Sequence, residues 1–260
     1  LLLVSCSRSG KKTNNIDRPN LLIIHTDEQN FRTLGCYRNA LPDELAYMWG
    51  RDNIVRTPNI DKLAEKGALC TNFYATTPVC SPSRAAFVSG RYPQHNGVPA
   101  NNYRLNDDIV TFAEILKENG YTTGYAGKWH LDGDGKPQWS PERKFGFDDN
   151  TYMFNRGHYK KVQDTPDGPG VVPRNEKGEG TYAVDNADEK TYMTDFLTSR
   201  AIEFIEKNRK KSFCYMLSYP DPHGPNTVRS PYDTMYMNMD FEVPFTAFKD
   251  STGIPGWCQK

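Results

Sequence analysis

Residues 78–91, Pro78-Val79-Cys80-Ser81-Pro82-Ser83-Arg84-Ala85-Ala86-Phe87-Val88-Ser89-Gly90-Arg91, read as a turn feeding a short helix with a thiol at its mouth. Ser81 is the expected N-cap, Pro82 suits the first helical position, residues 85–88 continue the helix and Gly90 stops it. This order sets Cys80 beside the unpaired N–H groups and positive dipole end of the helix, with the guanidinium of Arg84 one turn along. Such a place favours a bound anion. Taken alone, Cys80 reads equally as a buried structural thiol before an ordinary helix.

Outward from this helix, three runs have the length and apolar content of buried strands. Asn20-Leu21-Leu22-Ile23-Ile24-His25-Thr26 is continuous enough to be a central parallel strand covered on both faces, and Asp27 and Glu28 follow it. Tyr121-Thr122-Thr123-Gly124-Tyr125-Ala126-Gly127 leads into Lys128-Trp129-His130, and residues 212–219 lead into Asp221-Pro222-His223-Gly224-Pro225. Helices are expected at 43–49, at 57–67 with Thr57 as N-cap and Gly67 as stop, at 110–119, and at 188–208; residues 68–74 read as a further strand. Strands alternating with helices indicate an α/β chain with a mostly parallel sheet. In such sheets ligands bind at the carboxyl ends of the strands, where Asp27, Lys128 with His130, and His223 all fall beside Cys80. Each of these groups alone would be an ordinary solvated loop residue; their common placement makes one site. Adjacent acids at a strand end offer hard oxygen donors suited to Ca²⁺ or Mg²⁺.

Cys80-Ser81-Pro82-Ser83-Arg84, with the apolar pair, Ser89 and Gly90-Arg91 after it, resembles the signature of the type I, formylglycine-dependent sulfatases of the alkaline-phosphatase-like superfamily. The string from Gly120 to His130 resembles the second signature of that family, His223-Gly224-Pro225 its later His-x-Pro, and Thr57-Pro58-Asn59-Ile60-Asp61-Lys62-Leu63-Ala64 the helix that precedes its nucleophile. The resemblance spans residues 18–225. It implies a three-layer sandwich with a mostly parallel central sheet, and a bacterial exported hydrolase that removes sulfate from a sulfated carbohydrate. By the same resemblance a maturation enzyme converts Cys80 to formylglycine, whose hydrate attacks sulfur. Arg84 holds that residue, and Asp27, Glu28 and Cys80 bind Ca²⁺ (rather than Mg²⁺) as Lewis acid. Lys128 and His130 bind the sulfate, and His223 serves the leaving alcohol as general acid. A developing charge on sulfate oxygen is what a fixed ammonium and imidazole would meet.

The sequence departs from the family at two points. Glu28 stands where the family usually has a second Asp, and no later Asp-Asn or Asp-His pair with a following Lys is found after Asn226. Asp149-Asn150 and Asp185-Asn186 have the right letters but precede the His223 strand. The chain therefore reads as truncated before the C-terminal strands and small C-terminal domain, with a short metal shell and weak or absent activity on its own. Two other functions stay open: a phosphodiester or phosphonate monoester hydrolase of the same superfamily, and a catalytically dead glycan-binding remnant.

Lys+Arg and Asp+Glu both number 32 in 260 residues, which gives no basic excess for nucleic acid. The 15 Tyr, 13 Phe and 4 Trp provide rings that suit sugars. Six cysteines without a C-x-x-C pair argue against zinc, and a disulfide among Cys36, Cys70, Cys214 and Cys258 is possible without being assignable. The opening Leu1-Leu2-Leu3-Val4-Ser5-Cys6 resembles the tail of a bacterial lipoprotein signal, which implies a lipid on Cys6, the chain's one expected membrane link, and a periplasmic or membrane-anchored protein; a clipped secretory signal is the alternative. Residues 7–18 read as a flexible tether. Residues 132–179, rich in Gly, Pro and charge, read as one long loop. Arg156 and His158 within it read as an exposed pair, with a place in a substrate pocket as the alternative.

Overall fold

The computed structural model describes residues 2–5, 18–245 and 247. In chain order the elements are β1 (Leu2–Ser5), β2 (Leu21–His25), α1 (Gly35–Arg38), α2 (Asp43–Ala46), α3 (Pro58–Lys66), α4 (Cys80–Ser89), α5 (Phe112–Glu118), β3 (Thr122–Lys128), β4 (Asp149–Phe154), β5 (Val162–Thr165), β6 (Gly168–Val171), α6 (Met193–Asn208) and β7 (Phe213–Ser218). They fall into two compact units. The larger holds the residues up to Gln29 together with Asn72–Thr234; the smaller holds Asn30–Thr71 and the residues from Met235 onward.

The larger unit is built on a five-stranded sheet in the order β1-β2-β7-β3-β4. Its four strands β2, β7, β3 and β4 are parallel, and β1 adds antiparallel to β2. Register follows the period-two pattern of the sequence. Ile23, Met216 and Tyr125 are aligned across three strands and belong to a core with Ala85 and Val88 of α4, Ala113 of α5, Trp129 and Phe147. Their neighbours one residue along, Leu217 and Ala126, face the opposite core with Phe196, Leu197, Ala201 and Phe204 of α6. Helices thus cover both faces, giving three layers, and the parallel strands end together on one edge.

Several elements differ from the expectation. The nucleophile helix starts at Cys80, not at Pro82, with Val79 as an N-cap that makes no side-chain bond. Ser81 lies inside the first turn, and its N–H is met by Asn101 Oδ1 at 2.9 Å. Residues 68–74 form no strand: they find no ladder partner among the described residues, and Phe73 and Tyr74 are exposed. The 188–208 helix begins only at Met193, because Asp188 Oδ1 takes the N–H groups of Lys190 and Thr191 in a turn. Residues 132–179 are not one loop; they contain β4, paired in parallel with β3, and the β5–β6 hairpin. The run after Asn20 is a parallel strand as read, but only Ile23 of β2 is buried, since the strand lies next to the sheet's edge.

In the smaller unit Thr57 does not cap its own helix α3. Its hydroxyl accepts the Gly35 N–H at 2.8 Å and donates to Asp61 Oδ1 at 3.0 Å, while the same Asp61 oxygen takes the Cys36 N–H at 2.8 Å. The Thr-Pro-Asn-x-Asp string therefore satisfies the start of α1. Cys36, Cys70, Cys80 and Cys214 are free thiols, so the possible disulfide does not form among the described residues. Cys6 and Cys258 lie outside them. No helix among the described residues is long and apolar enough to cross a membrane.

Candidate active site

The carboxyl edge of the parallel strands brings the predicted residues of the larger unit together. Asp27 follows β2, and its N–H bonds the carbonyl of Asp221, 3.2 Å away after β7. Arg84 rises from α4, 2% exposed, and its Nη1 donates to Lys128 O at 2.5 Å and Ser218 Oγ at 2.6 Å. These bonds fix the helix mouth to the ends of β3 and β7. Lys128, the last residue of β3, reaches Asp27 Oδ2 at 2.5 Å, and Arg84 Nη2 lies 3.4 Å from the same oxygen. The other oxygen, Oδ1, is 3.6 Å from Cys80 Sγ. Asp27 therefore links the thiol to two buried cations.

Electrostatics of the cluster favours an anion. Burial pushes the Asp27 carboxyl up, yet Arg84 and Lys128 outweigh it and hold the group below the usual carboxylate range. Two buried cations over one buried carboxylate leave a positive excess at a helix N-terminus. Burial raises the Cys80 thiol, against the pull of Lys128 and Arg84, so the unmodified thiol is a poor nucleophile at neutral pH. His130 is buried, takes a left-handed φ of 64°, and neither ring nitrogen has a hydrogen-bond partner among the described residues. Burial, then Lys128 and Arg84, lower its pKa to about 3. A buried imidazole left unpaired is costly unless a ligand meets it.

His223 stands after β7 with Nδ1 3.0 Å from Gly224 O and Nε2 3.2 Å from Glu28 Oε1. A carbonyl only accepts, so the ring presents Nδ1–H to Gly224 O, and Nε2 faces the Glu28 carboxylate. Glu28 is exposed and takes a left-handed φ of 59°. Among the described residues, Glu28, Cys80 and His223 bring ligating atoms within 4.8 Å of one another. For Ca²⁺ the donors fit in kind: Asp27 Oδ1 and the Glu28 carboxylate are hard oxygens at one strand end. They supply part of a shell that wants about six.

Two residues of this cluster, Asn101 and Lys160, escaped the sequence reading, and a third, His158, reads there as exposed with a pocket as the alternative. Asn101 caps the first turn of α4; the Asn101-Asn102 pair signals a turn and nothing more. His158, read as exposed, is half-buried, with Nε2 2.8 Å from Lys128 Nζ and its ring stacked on His223. Lys160, buried, bonds Asp221 and approaches His223 O at 3.4 Å. Arg156 is also partly covered, its guanidinium held by Asn102 and by Asp134 at 3.1 Å. Asp149 opens β4 at the far edge of the sheet, and Asn150 is buried with its amide on Pro141 O at 2.7 Å. Neither joins the site.

The sulfatase family model matches residues 19–242. The chain belongs to the sulfatase family. This sulfatase is 30% identical over 258 residues to the N-acetylglucosamine-6-O-sulfatase of Bacteroides thetaiotaomicron, covering 97% of the chain and 39% of that relative. It is 31% identical over 244 residues to the ulvan-active sulfatase of Formosa agariphila, covering 90% of the chain and 42% of that relative. Among solved structures, BT4656 in complex with its substrate D-glucosamine-2-N,6-O-disulfate superposes with a TM-score of 0.63 at 26% identity, over 90% of this chain and 40% of that one. The sulfatase chain thus spans about two-fifths of the length of the relatives it matches. Its α/β architecture with a mostly parallel central sheet is that of its sulfatase neighbours, the alkaline-phosphatase-like fold.

Proposed function

We propose that this sulfatase hydrolyses a sulfate ester carried by a carbohydrate, R–O–SO3⁻ + H2O → R–OH + SO4²⁻ + H⁺. The observation that carries the reading is the buried excess of cations, Lys128 and Arg84 over Asp27, at the helix mouth that bears Cys80. The names of the relatives, a glucosamine-6-O-sulfatase and an ulvan-active sulfatase, favour a sugar substrate.

In this reading Lys128 Nζ and the unpartnered nitrogens of His130 receive the sulfate oxygens, where negative charge grows as the bond to the leaving oxygen breaks. His223 delivers a proton from Nε2 to the departing alkoxide. Arg84 keeps the residue at position 80 in register with the ends of β3 and β7. The signature that residues 80–84 share with the formylglycine-dependent sulfatases supports conversion of Cys80 to formylglycine by a maturation enzyme, and the aldehyde hydrate supplies an oxygen nucleophile. Asp27 and Glu28 would hold Ca²⁺, which when bound supplies Lewis-acid stabilisation. We further infer that the protein is exported, as a periplasmic or lipid-anchored form with acyl chains on Cys6. Fatty-acid labelling that survives Cys6→Ala would refute the anchor.

The test is sulfate release by the full-length protein, produced with and without a formylglycine-generating enzyme, from a sulfated glucosamine and from an aryl phosphodiester. Mass spectrometry of residues 67–84 reports the state of Cys80. Turnover of the sulfate by the aldehyde form alone is expected. Turnover by a form that keeps the thiol would overturn the nucleophile, faster turnover of the phosphodiester would change the substrate class, and binding without turnover would make the site a glycan receptor.

A further inference from the structure

His158 reached the site from a segment that reads as loop, and it makes two unlike contacts there. Lys128 Nζ lies 2.8 Å from its Nε2. An ammonium only donates, so Nε2 is the acceptor and the ring hydrogen sits on Nδ1. On its flat side, His158 stacks on His223 with ring centroids 3.7 Å apart and planes within 10°. Tyr182 meets the His158 ring edge-on at 5.9 Å. Two residues along, buried Lys160 ties Asp221 to the same loop, and Thr194 Oγ1 donates to Asp221 at 2.5 Å. The loop after β4 and the loop after β7 are therefore held together, and His158 has little freedom to leave.

We propose that His158 is a positioning residue for sulfate-ester cleavage, its ring acting as a spacer that aims Lys128 with one edge and holds the His223 plane with one face. The argument on the first side is a count of donors. The Lys128 ammonium has three N–H bonds; Asp27 Oδ2 takes one and His158 Nε2 another. With two fixed, the direction of the third is fixed too, and it is the one left for a sulfate oxygen. Without His158 the ammonium turns about its last carbon–nitrogen bond and meets the oxygen only part of the time. On the second side, the stack sets the rotation of the His223 imidazole, and with it where Nε2 points. Burial first, and then Lys128, push the His158 pKa down to about 3. The plate under His223 is thus an uncharged ring.

The inference rests on the sulfatase reading, and two variants of the full-length, matured protein separate its halves. His158→Phe keeps a ring over His223 and removes the acceptor; kcat/KM should fall roughly tenfold to a hundredfold on both an aryl sulfate and a sugar sulfate. The inhibition constant for inorganic sulfate should rise with it. His158→Asn keeps an acceptor and removes the plate; the loss should be larger on the sugar sulfate, whose poor leaving group needs the proton, than on the aryl sulfate. Wild-type kcat/KM for either variant on both esters would overturn the proposal. So would equal losses for both variants on both esters accompanied by a lowered Tm, which is what a merely structural residue gives. If the wild type cleaves neither ester, the sulfatase reading fails, and ¹⁵N NMR of the histidine rings decides this one separately. An acceptor-type Nε2 signal for His158 supports it, and an Nε2–H signal overturns it.

Discussion

Lys128 Nζ and Asp27 Oδ2 are 2.5 Å apart with side chains only 1% and 8% exposed, and Arg84 shares the same carboxylate. Among the described residues Asp27 is the single buried counter-charge paired with these two buried cations. Replacing it by Asn leaves both uncompensated, which should lower stability by about 3–5 kcal/mol, the usual cost of removing one partner of a buried pair. Inorganic sulfate should restore more of the Tm in Asp27→Asn than it adds to the wild type, because the anion takes the vacated role. A variant as stable as the wild type, measured by thermal unfolding, would contradict the pairing.

The parts of this arrangement that the sequence disclosed are those with local grammar. Asp27, Cys80, Lys128 and His223 each follow a short apolar run or open a helix, and parallel strands bring such ends to one edge whatever lies between. What stayed hidden depends on contacts distant in the chain. β4 (Asp149–Phe154) alternates poorly because both its faces meet aromatic layers, Met153 on one side and Phe154 on the other. His158 owes its position to β4 and to Lys160, so reading β4 as loop favoured an exposed His158 over the pocket that was its alternative. Thr57 and Asp61 looked like the start of their own helix because the partner they satisfy, α1, carries no periodic signal.

Acid should destabilise the larger unit through its neutral histidines. His130 and His158 are both lowered from 6.5 to about 3, by burial and then by Lys128. An unfolded chain binds these two protons near the ordinary histidine value, while the folded one does not. Their contribution is thus fully present above pH 6.5 and is lost as the pH falls from there toward 3. The slope is up to about 1.4 kcal/mol per pH unit for His130, and less for the more open His158. Urea unfolding at several pH values, at one ionic strength, should give this dependence, and His130→Gln should flatten it by one proton. A slope unchanged by that variant would show that other groups carry the effect.

Two glycines with left-handed backbones should respond in opposite degrees to alanine. Gly127 has φ 104°, and a Cβ there would lie 1.8 Å from Ser218 O, inside the β3–β7 ladder that fixes Lys128. Gly127→Ala should cost more than about 3 kcal/mol or prevent folding. Gly90, the stop of α4, has φ 65° with open space around it, so Gly90→Ala should cost only about 1 kcal/mol, the penalty of the left-handed conformation. Equal losses in chemical denaturation would mean that crowding at Ser218 is not what excludes a side chain from position 127.

The four described cysteines should react with an alkylating agent in an order set by burial rather than by the charge around them. Cys70 is exposed and should label first. Cys214 is fully buried in β7, and burial pushes its thiol up to about 12, so at pH 8 it should label only on unfolding. Cys80 is the informative case, because the helix dipole, Lys128 and Arg84 all favour a thiolate while burial opposes one, and burial prevails. In protein produced without a maturation enzyme, Cys80 should therefore label well after Cys70, as read by mass spectrometry of the separate peptides. Labelling as fast as Cys70 would mean that the cations outweigh burial. The unmodified thiol would then be a competent nucleophile.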